Sequence, residues 1–373
     1  MLTITFKNVN HGDTIILEWQ NSQGENEIGI LDCHLAAGKT NVVIDHIVKM
    51  KYKKIRFMIL SHPHTDHFSG FPSLIDFCME ENIKIERFWH TGIFDKEYIS
   101  ELVAKEVDAD KFVNSFLNRK AHRDLLKRLY RKIIDLEGGE IVDEVGYANS
   151  TSMLPLNKDK GLWLECFSPS NIELKEYCKK TFDTNAEKKL EVMQDVVNPN
   201  ANLFSSFIRV FTDKWYVLLP ADSLKSTVKR IDKKRKSHFN KEKLVASQVP
   251  HHGSYHCHFE DFWLKVPERG GVPVFISAGS KYGLPSKKVV EFFDREYKEV
   301  HVTNHVGGFE AHCKQKFKSR EEEIQHLNSP LNLYDDHFIG SKISRENYEV
   351  PNRCGEKKVI IKEKGDFKIF TVS

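Results

Sequence analysis

Lys54-Ile-Arg-Phe-Met-Ile-Leu60, followed at once by Ser61-His62-Pro63-His64-Thr65-Asp66-His67, is the stretch around which this sequence organises itself. The first seven residues make the short, mainly apolar run expected of a buried strand. The next seven place three His and one Asp at fixed offsets. In an extended chain residues two apart project to one side, so His62 and His64 can grip one cation. Asp66 and His67 fall where the chain turns into the next predicted helix, Phe71–Glu81, and there they face a second cation beside the first.

Two later stations answer this loop. Trp215-Tyr-Val-Leu-Leu-Pro-Ala-Asp222 is an apolar strand ending in a carboxylate, the placement needed by an Asp that bridges two cations. Leu244-Val-Ala-Ser-Gln-Val-Pro-His251-His252-Gly253-Ser254 is a second strand, ending in adjacent His. Strand ends on one edge of a layered sheet converge, so these groups can meet His62–His67 in space.

The rest of the chain reads as a mixture of strands and helices. Strands are predicted at Leu2–Val9, Thr14–Trp19, Glu27–Asp32, Ile85–Trp89, Leu162–Phe167, Phe204–Phe211, Val272–Ser277 and Glu299–Val302, with a turn at Gly12-Asp13 and a helix over Val42–Lys51. Such mixing over the whole length predicts an α/β layered fold. Two segments look like additions to it. Asp95–Gly138 is helical in pattern, with Leu125, Leu126, Leu129 and Ile133 on one face and basic residues around the rest. Glu310–Ser373 ends in a predicted hairpin, Lys357–Lys362 with Phe367–Val372.

Composition bounds the function. The chain has 373 residues, 56 Lys+Arg against 53 Asp+Glu, and 40% hydrophobic residues, which is the profile of a globular protein with a sizeable core. No apolar run approaches the roughly 20 residues of a membrane-spanning helix. The start alternates like a strand and carries no basic segment before an apolar one, so no secretory signal is expected. The seven Cys are odd in number and scattered, which points to a reducing, cytoplasmic setting. The 18 His are the outlying count. No phosphate-cradling glycine loop follows a strand.

With these stations in place, the sequence resembles the metallo-β-lactamase superfamily of metallohydrolases, and most of all the hydrolase domain of ComEC-type DNA-uptake proteins. The resemblance rests on His62-x-His64-x-Asp66-His67, Gly12-Asp13-Thr14, Leu31-Asp32, Asn202-Leu-Phe-Ser205, Leu219-Pro-Ala-Asp222, Val249-Pro-His251-His252-Gly-Ser254, Ser277-Ala-Gly-Ser280 with Tyr282-Gly-Leu-Pro-Ser286, and Thr303 near Gly307-Gly308. It spans about residues 1–310, with the basic helical insertion at about 95–138 and a C-terminal extension over 311–373. It implies an αββα sandwich. It also implies two divalent cations, Zn²⁺ or Mn²⁺: the first on His62 and His64, the second on Asp66, His67 and one of His251/His252, with Asp222 bridging. The other of His251/His252 would lie within reach of the reacting group as an acid or an oxyanion donor. Asp32 is expected to orient a ligand His, Asp13 to act as a structural or orienting carboxylate, and Asn202 and Ser205 to back the ligands. The chain departs from its relatives at two points: no third His stands in Asn200–Ser205 for the first cation, and Leu284 replaces a His common in that branch.

The activity so implied is hydrolysis by a metal-activated water, with a phosphodiester or nucleic acid as substrate. Lys111–Asp135 carries eight Lys/Arg against two Asp, and Lys225–Lys243 nine against two acids, the latter starting beside Asp222. The net charge of +3 shows that acids elsewhere offset them. A small ester, thioester or lactone is the alternative substrate. A metal-bound scaffold that binds nucleic acid or a protein partner without turnover is the third reading. Cys33-His34 and His256-Cys257-His258 lack paired Cys-x-x-Cys spacing and read as ordinary loop residues near the metal loops.

Overall fold

The computed structural model describes residues 1–91, 125, 128–129, 131–133, 141–182, 199–234, 239, 242–279, 283–304, 306–316 and 355–372, the side chains of 177–182, 199–200 and 313–316 excepted. Two sheets face each other. The first has the order β16-β15-β1-β2-β3-β5-β6-β4, with β7 also on β6. Its strands are β1 (Leu2–Phe6), β2 (Thr14–Gln20), β3 (Asn26–Cys33), β4 (Lys54–Ile55), β5 (Phe57–Ile59), β6 (Lys84–His90), β7 (Val142–Tyr147), β15 (Lys357–Ile361) and β16 (Phe367–Thr371). The second runs β14-β13-β12-β11-β10-β9-β8. It comprises β8 (Met153–Asn157), β9 (Leu162–Cys166), β10 (Ile208–Phe211), β11 (Trp215–Leu219), β12 (Lys243–Gln248), β13 (Pro273–Ile276) and β14 (Glu299–Val302).

The period-2 alternation of side chains divides the core into layers. In β2, Ile15, Leu17 and Trp19 enter the space between the sheets, where they meet Trp215, Val217 and Leu219 of β11. Ile16 points the other way and packs with Val43 and Ile47 of α1 (Val42–Met50) and Phe71, Leu74 and Ile75 of α3 (Phe71–Glu80). On the far side, Tyr216 and Leu218 of β11 pack with Val228 and Ile231 of α5 (Lys225–Lys233), Phe262 and Trp263 of α6 (Glu260–Leu264), and Val289 and Phe293 of α7 (Lys287–Glu296). The architecture is therefore an αββα sandwich. The short α2 (Thr65–Phe68) lies within the His-rich loop after β5, and α4 (Asn171–Phe182) and α8 (Gly307–Lys316) complete the described helices.

Several elements depart from the sequence reading. The single strand expected over Lys54–Leu60 is two. Lys54–Ile55 pairs only with β6, while Phe57–Ile59 sits between β3 and β6, with the Arg56 N–H bonded to Ile28 O at 2.8 Å between them. Phe204 belongs to a 3-10 turn, and the strand starts at Ile208. The C-terminal hairpin pairs antiparallel with β1, Leu2 against Ile361 and Phe6 against Lys357, and buries Val359, Ile361 and Ile369 between the sheets. It covers an edge that β1 would otherwise expose. Most of the basic insertion lies outside the described residues, as do 317–354. Its described part is helical, with Leu129 and Ile133 buried against the outer layer beside α3. Arg128 and Lys132 there both pair with Asp76.

Candidate metal centre

The site forms where parallel strands end together. β3, β5 and β6 run parallel in the first sheet, and β11, β12 and β13 in the second. Asp32 stands near the end of β3 and His62–His67 just past β5. Asp222 follows β11, His251 and His252 follow β12, and Ser277 follows β13. Three of these strand ends hold four non-glycine residues in the left-handed region: Asp32 (φ 57), Ala221 (φ 45), His251 (φ 50) and His252 (φ 51). Each such residue costs of order 1–3 kcal/mol, a strain the surrounding fold sustains at positions where side chains must be aimed.

The aiming is visible in hydrogen bonds. His67 Nδ1 lies 2.7 Å from Asp32 Oδ2, and a carboxylate only accepts, so Nδ1 carries the proton. His252 Nδ1 donates in the same way to the Ser277 carbonyl at 3.1 Å. The Ser61 hydroxyl donates to Asp32 Oδ2 at 2.6 Å, which leaves its oxygen to accept from His62 Nδ1 at 3.1 Å. All three rings are thereby held with Nε2 turned to one carboxylate. Asp222 Oδ2 lies 3.6 Å from His62 Nε2 and Asp222 Oδ1 lies 3.6 Å from His67 Nε2 and 3.4 Å from His252 Nε2. His67 Nε2, His252 Nε2 and Asp222 Oδ1 are buried, with no hydrogen-bond partner among the described residues.

Imidazole nitrogens and a carboxylate turned toward one another form a cluster that a cation can occupy. Donors about 2.0–2.1 Å from a tetrahedral ion stand about 3.4 Å apart, which matches the spacings to Asp222. The donor set, imidazole nitrogens and carboxylate oxygens, could hold divalent metal at this carboxylate. His62, His64 and Asp222 form one cluster, with His62 Nε2 3.0 Å from His64 Nδ1. His251 Nε2 joins that side, 3.6 Å from Asp222 Oδ2. His67, Asp222 and His252 form the other, and Asp66 Oδ2 approaches to 3.6 Å from His252 Nε2. The sequence left open which of the adjacent His faces a cation; the fold turns both to Asp222, one on each oxygen.

Burial disfavours charge throughout this cluster, but neighbouring charges outweigh it at most members. Histidines hold the Asp66 and Asp222 carboxyls well below the usual range. Asp222 and Asp32 hold His67 well above its ordinary value, and Asp222 with Asp66 raises His252 to about 9. His62 is held low, first by burial and then by the neighbouring His67 and His64. Burial raises Asp32.

The remaining expected residues gather around these ligands. Asp13 is buried, accepts from Gln248 Nε2 at 2.6 Å and lies 3.8 Å from His67 Nδ1. Asn202 Nδ2 stands 3.4 Å from His251 Nε2, so the amide occupies the place where a third His was looked for. Ser205 is buried one residue from Ser206, whose N–H bonds to Ser61 O at 3.0 Å. Cys257, read as an ordinary loop residue, lies with its Sγ 2.8 Å from His251 Nδ1, and burial pushes its thiol up to about 12. His34 bonds Ser69 at 2.9 Å. Tyr282 lies outside the described residues. Sequence reasoning gave no role to Gln248, Ser61 and Ser277, polar residues at strand ends within the recognised stretches, and it missed His11. His11 immediately precedes Gly12-Asp13, and its Nε2 lies 3.1 Å from Asp66 Oδ2.

No protein-family model and no curated protein matches the sequence significantly. Among solved structures, the chain is similar to the metallo-beta-lactamase fold protein YhfI from Bacillus subtilis, at 9% identity and a TM-score of 0.41, over 81% of this chain and 96% of that one. It is also similar to a mutant of the CmlA beta-hydroxylase, at 13% identity and a TM-score of 0.32, over 66% of this chain and 35% of that one. At these TM-scores neither likeness adds to what the sheet order and the site geometry establish.

Proposed function

We propose that the chain is a metal-dependent hydrolase of the metallo-β-lactamase superfamily, with a two-cation centre that acts on phosphodiesters, nucleic acid foremost. The observation that carries this reading is the convergence of His62, His67 and His252 Nε2 on the buried Asp222 carboxylate, each ring locked by an acceptor at its Nδ1–H. His62, His64, His251 and Asp222 would hold the first cation; Asp66, His67, His252 and Asp222 the second. Cations bound there, Zn²⁺ or Mn²⁺, supply Lewis-acid charge for attack of water on an ester. Asp222 spaces the two sites, and Asp32 and Ser61 keep the ligand rings in the productive tautomer. His62, His67, His252 and Asp222 are buried, whereas His64, Asp66 and His251 are half-buried, so the latter face the side from which substrate would enter.

The phosphodiester preference rests on α5, which begins three residues after Asp222. Lys225, Lys229 and Lys233, each four apart and all exposed, share one face of that helix. This is a row able to follow a phosphate backbone. A specific observation favours the second reading, hydrolysis of a small ester, thioester or lactone: Arg128 and Lys132 are spent on Asp76, and Arg230 on Glu173, so part of the basic surface is already paired.

The test is cleavage of end-labelled single- and double-stranded DNA and RNA by metal-loaded protein, with Asp66→Ala as control and a small ester and a lactone in parallel. Strand cleavage lost in the variant supports the nuclease reading. Turnover of only the small substrates supports the second. Binding of nucleic acid with no turnover of any substrate supports a metal-bound scaffold.

A further inference from the structure

We infer that His11, in the loop between β1 and β2, is a direct ligand of the second cation, its Nε2 joining Asp66 Oδ2 and His252 Nε2 around one point. The inference rests on the two-cation reading above and adds a donor to it. His11 Nε2 lies 3.1 Å from Asp66 Oδ2, and His252 Nε2 lies 3.6 Å from the same oxygen. These three donor atoms all fall within 4.8 Å of one another. The two imidazole rings lie with centroids 4.9 Å apart, so they approach the carboxylate together.

The backbone is built to bring His11 to this position. Gly12 has φ +110, and a Cβ there would stand 2.2 Å from Asp66 O; without one, the turn presses directly on the metal loop. The Asp13 N–H then bonds to that same carbonyl at 3.0 Å. On the opposite side, a Cβ on Gly279 would meet His11 Cα at 2.6 Å, so a second glycine clears room for the loop. Asn304 Nδ2 reaches Asn10 O at 3.4 Å, and Asn10 itself is left-handed at φ 64. Contacts on three sides thus fix a residue whose side chain ends among metal donors.

The consequence is an unequal pair of sites. With His11, the second side would draw on two triads that share His252, namely His11, Asp66 and His252 and then His67, Asp222 and His252, against one triad, His62, His64 and Asp222, with His251 beside Asp222 on the first. The second site therefore fills first and holds its ion more tightly, while the first keeps room for exchange. A purely positioning role, in which His11 only donates a hydrogen bond to Asp66, predicts a different response to substitution. Gln carries an N–H at nearly the place of Nε2 and would preserve that bond without supplying the imidazole nitrogen.

The experiment is Zn²⁺ titration of the metal-free full chain against a chromophoric chelator, for the wild type, H11A and H11Q, with circular dichroism confirming the fold of each. Two ions are expected in the wild type. Both variants should lose affinity for the tighter ion by at least about tenfold while the weaker is unchanged, since even loss of a residue that merely orients a ligand costs about 10–100-fold. A wild type that binds no Zn²⁺ removes the two-cation reading and this inference with it. A wild type that binds two ions, beside an H11A that binds both equally well or an H11Q that restores the wild-type affinity, overturns the His11 assignment alone.

Discussion

Replacing Gly12 by Ala tests whether the first turn of the chain braces the metal loop. The added Cβ would lie 2.2 Å from Asp66 O and 2.8 Å from Asp66 Cβ, at a backbone φ of +110 that L side chains rarely adopt. Ordinary contact begins near 3.4 Å, so the turn must withdraw by about 1 Å. That withdrawal breaks the 3.0 Å hydrogen bond from Asp13 N–H to Asp66 O. Backbone strain of about 1–3 kcal/mol and a lost hydrogen bond of about 1 kcal/mol give about 2–4 kcal/mol of destabilisation. For a chain of 373 residues the unfolding entropy is of order 0.8 kcal/mol per kelvin, so the melting temperature should fall by about 3–5 °C. The measurement belongs on metal-free protein, followed by calorimetry, so that altered metal affinity does not enter. A second titration with Zn²⁺ should show about 10–100-fold weaker binding of one ion, because Asp66 and the residues after the turn have moved. If G12A melts within 1 °C of the wild type, a threshold set at about the error of such a melt, and binds both ions unchanged, the turn does not press on the metal loop and the reasoning fails.

Four further outcomes follow from the same geometry. Asp222→Ala removes the carboxylate between the two clusters and should weaken both ions by at least about tenfold, read by chelator competition; one ion unaffected would deny the bridge. Asp32→Asn disturbs the acceptor of His67 Nδ1 and of Ser61, so the second ion should weaken about 10–100-fold and the first less, with the fold intact by circular dichroism. His258 is buried against Phe292 and Phe293, and burial, aided by Lys225, depresses its pKa to about 4 from 6.5. Both folded and unfolded states are neutral well above pH 6.5, so its stability contribution is present there and is lost as pH falls through 6.5 towards 4, by of order 3 kcal/mol. Denaturant melts of His258→Leu should lack that acid-side loss, and a wild-type-like pH profile would contradict it. Changing Lys225, Lys229 and Lys233 together to Gln should flatten the salt dependence of DNA binding by up to about 2.7 in log–log slope, with small-ester turnover unchanged; an unaltered slope would take α5 out of the nucleic-acid path.

The layered fold and most residues of the candidate site were legible because they depend on local pattern. An apolar strand ending in His-x-His-x-Asp-His, another ending in Asp222 and a third ending in His251-His252 are short-range signals. Strand ends on one edge must converge whatever the loops between them do. Asp32 was legible for the same reason, as a carboxylate closing a strand. The pairing of the C-terminal hairpin with β1 was not, since Leu2 and Ile361 carry no mark of each other in an apolar alternation that any open edge would accept. The split of Lys54–Leu60 was likewise hidden, because it depends on which neighbour each half finds.

Within the site, residue types along the chain named the chemistry, but the division of labour is a matter of three-dimensional aim. Adjacent His251 and His252 are equivalent by sequence. Their left-handed backbone sends one to Asp222 Oδ2 and the other to Oδ1. His11 drew no reading of its own beside the Gly12-Asp13 turn, and it enters the cluster because Gly12 and Gly279 let its loop close on Asp66. The basic segments illustrate the same limit from the other side: a count of Lys and Arg says nothing of partners, and the fold pairs Arg128 and Lys132 with Asp76 while leaving Lys225, Lys229 and Lys233 in solvent. Composition and spacing act through the local chain, so they settle which donors exist and which elements carry them. Tautomer, cation assignment and free charge are set by contacts between residues far apart in sequence, and these come into being when the sheets pack.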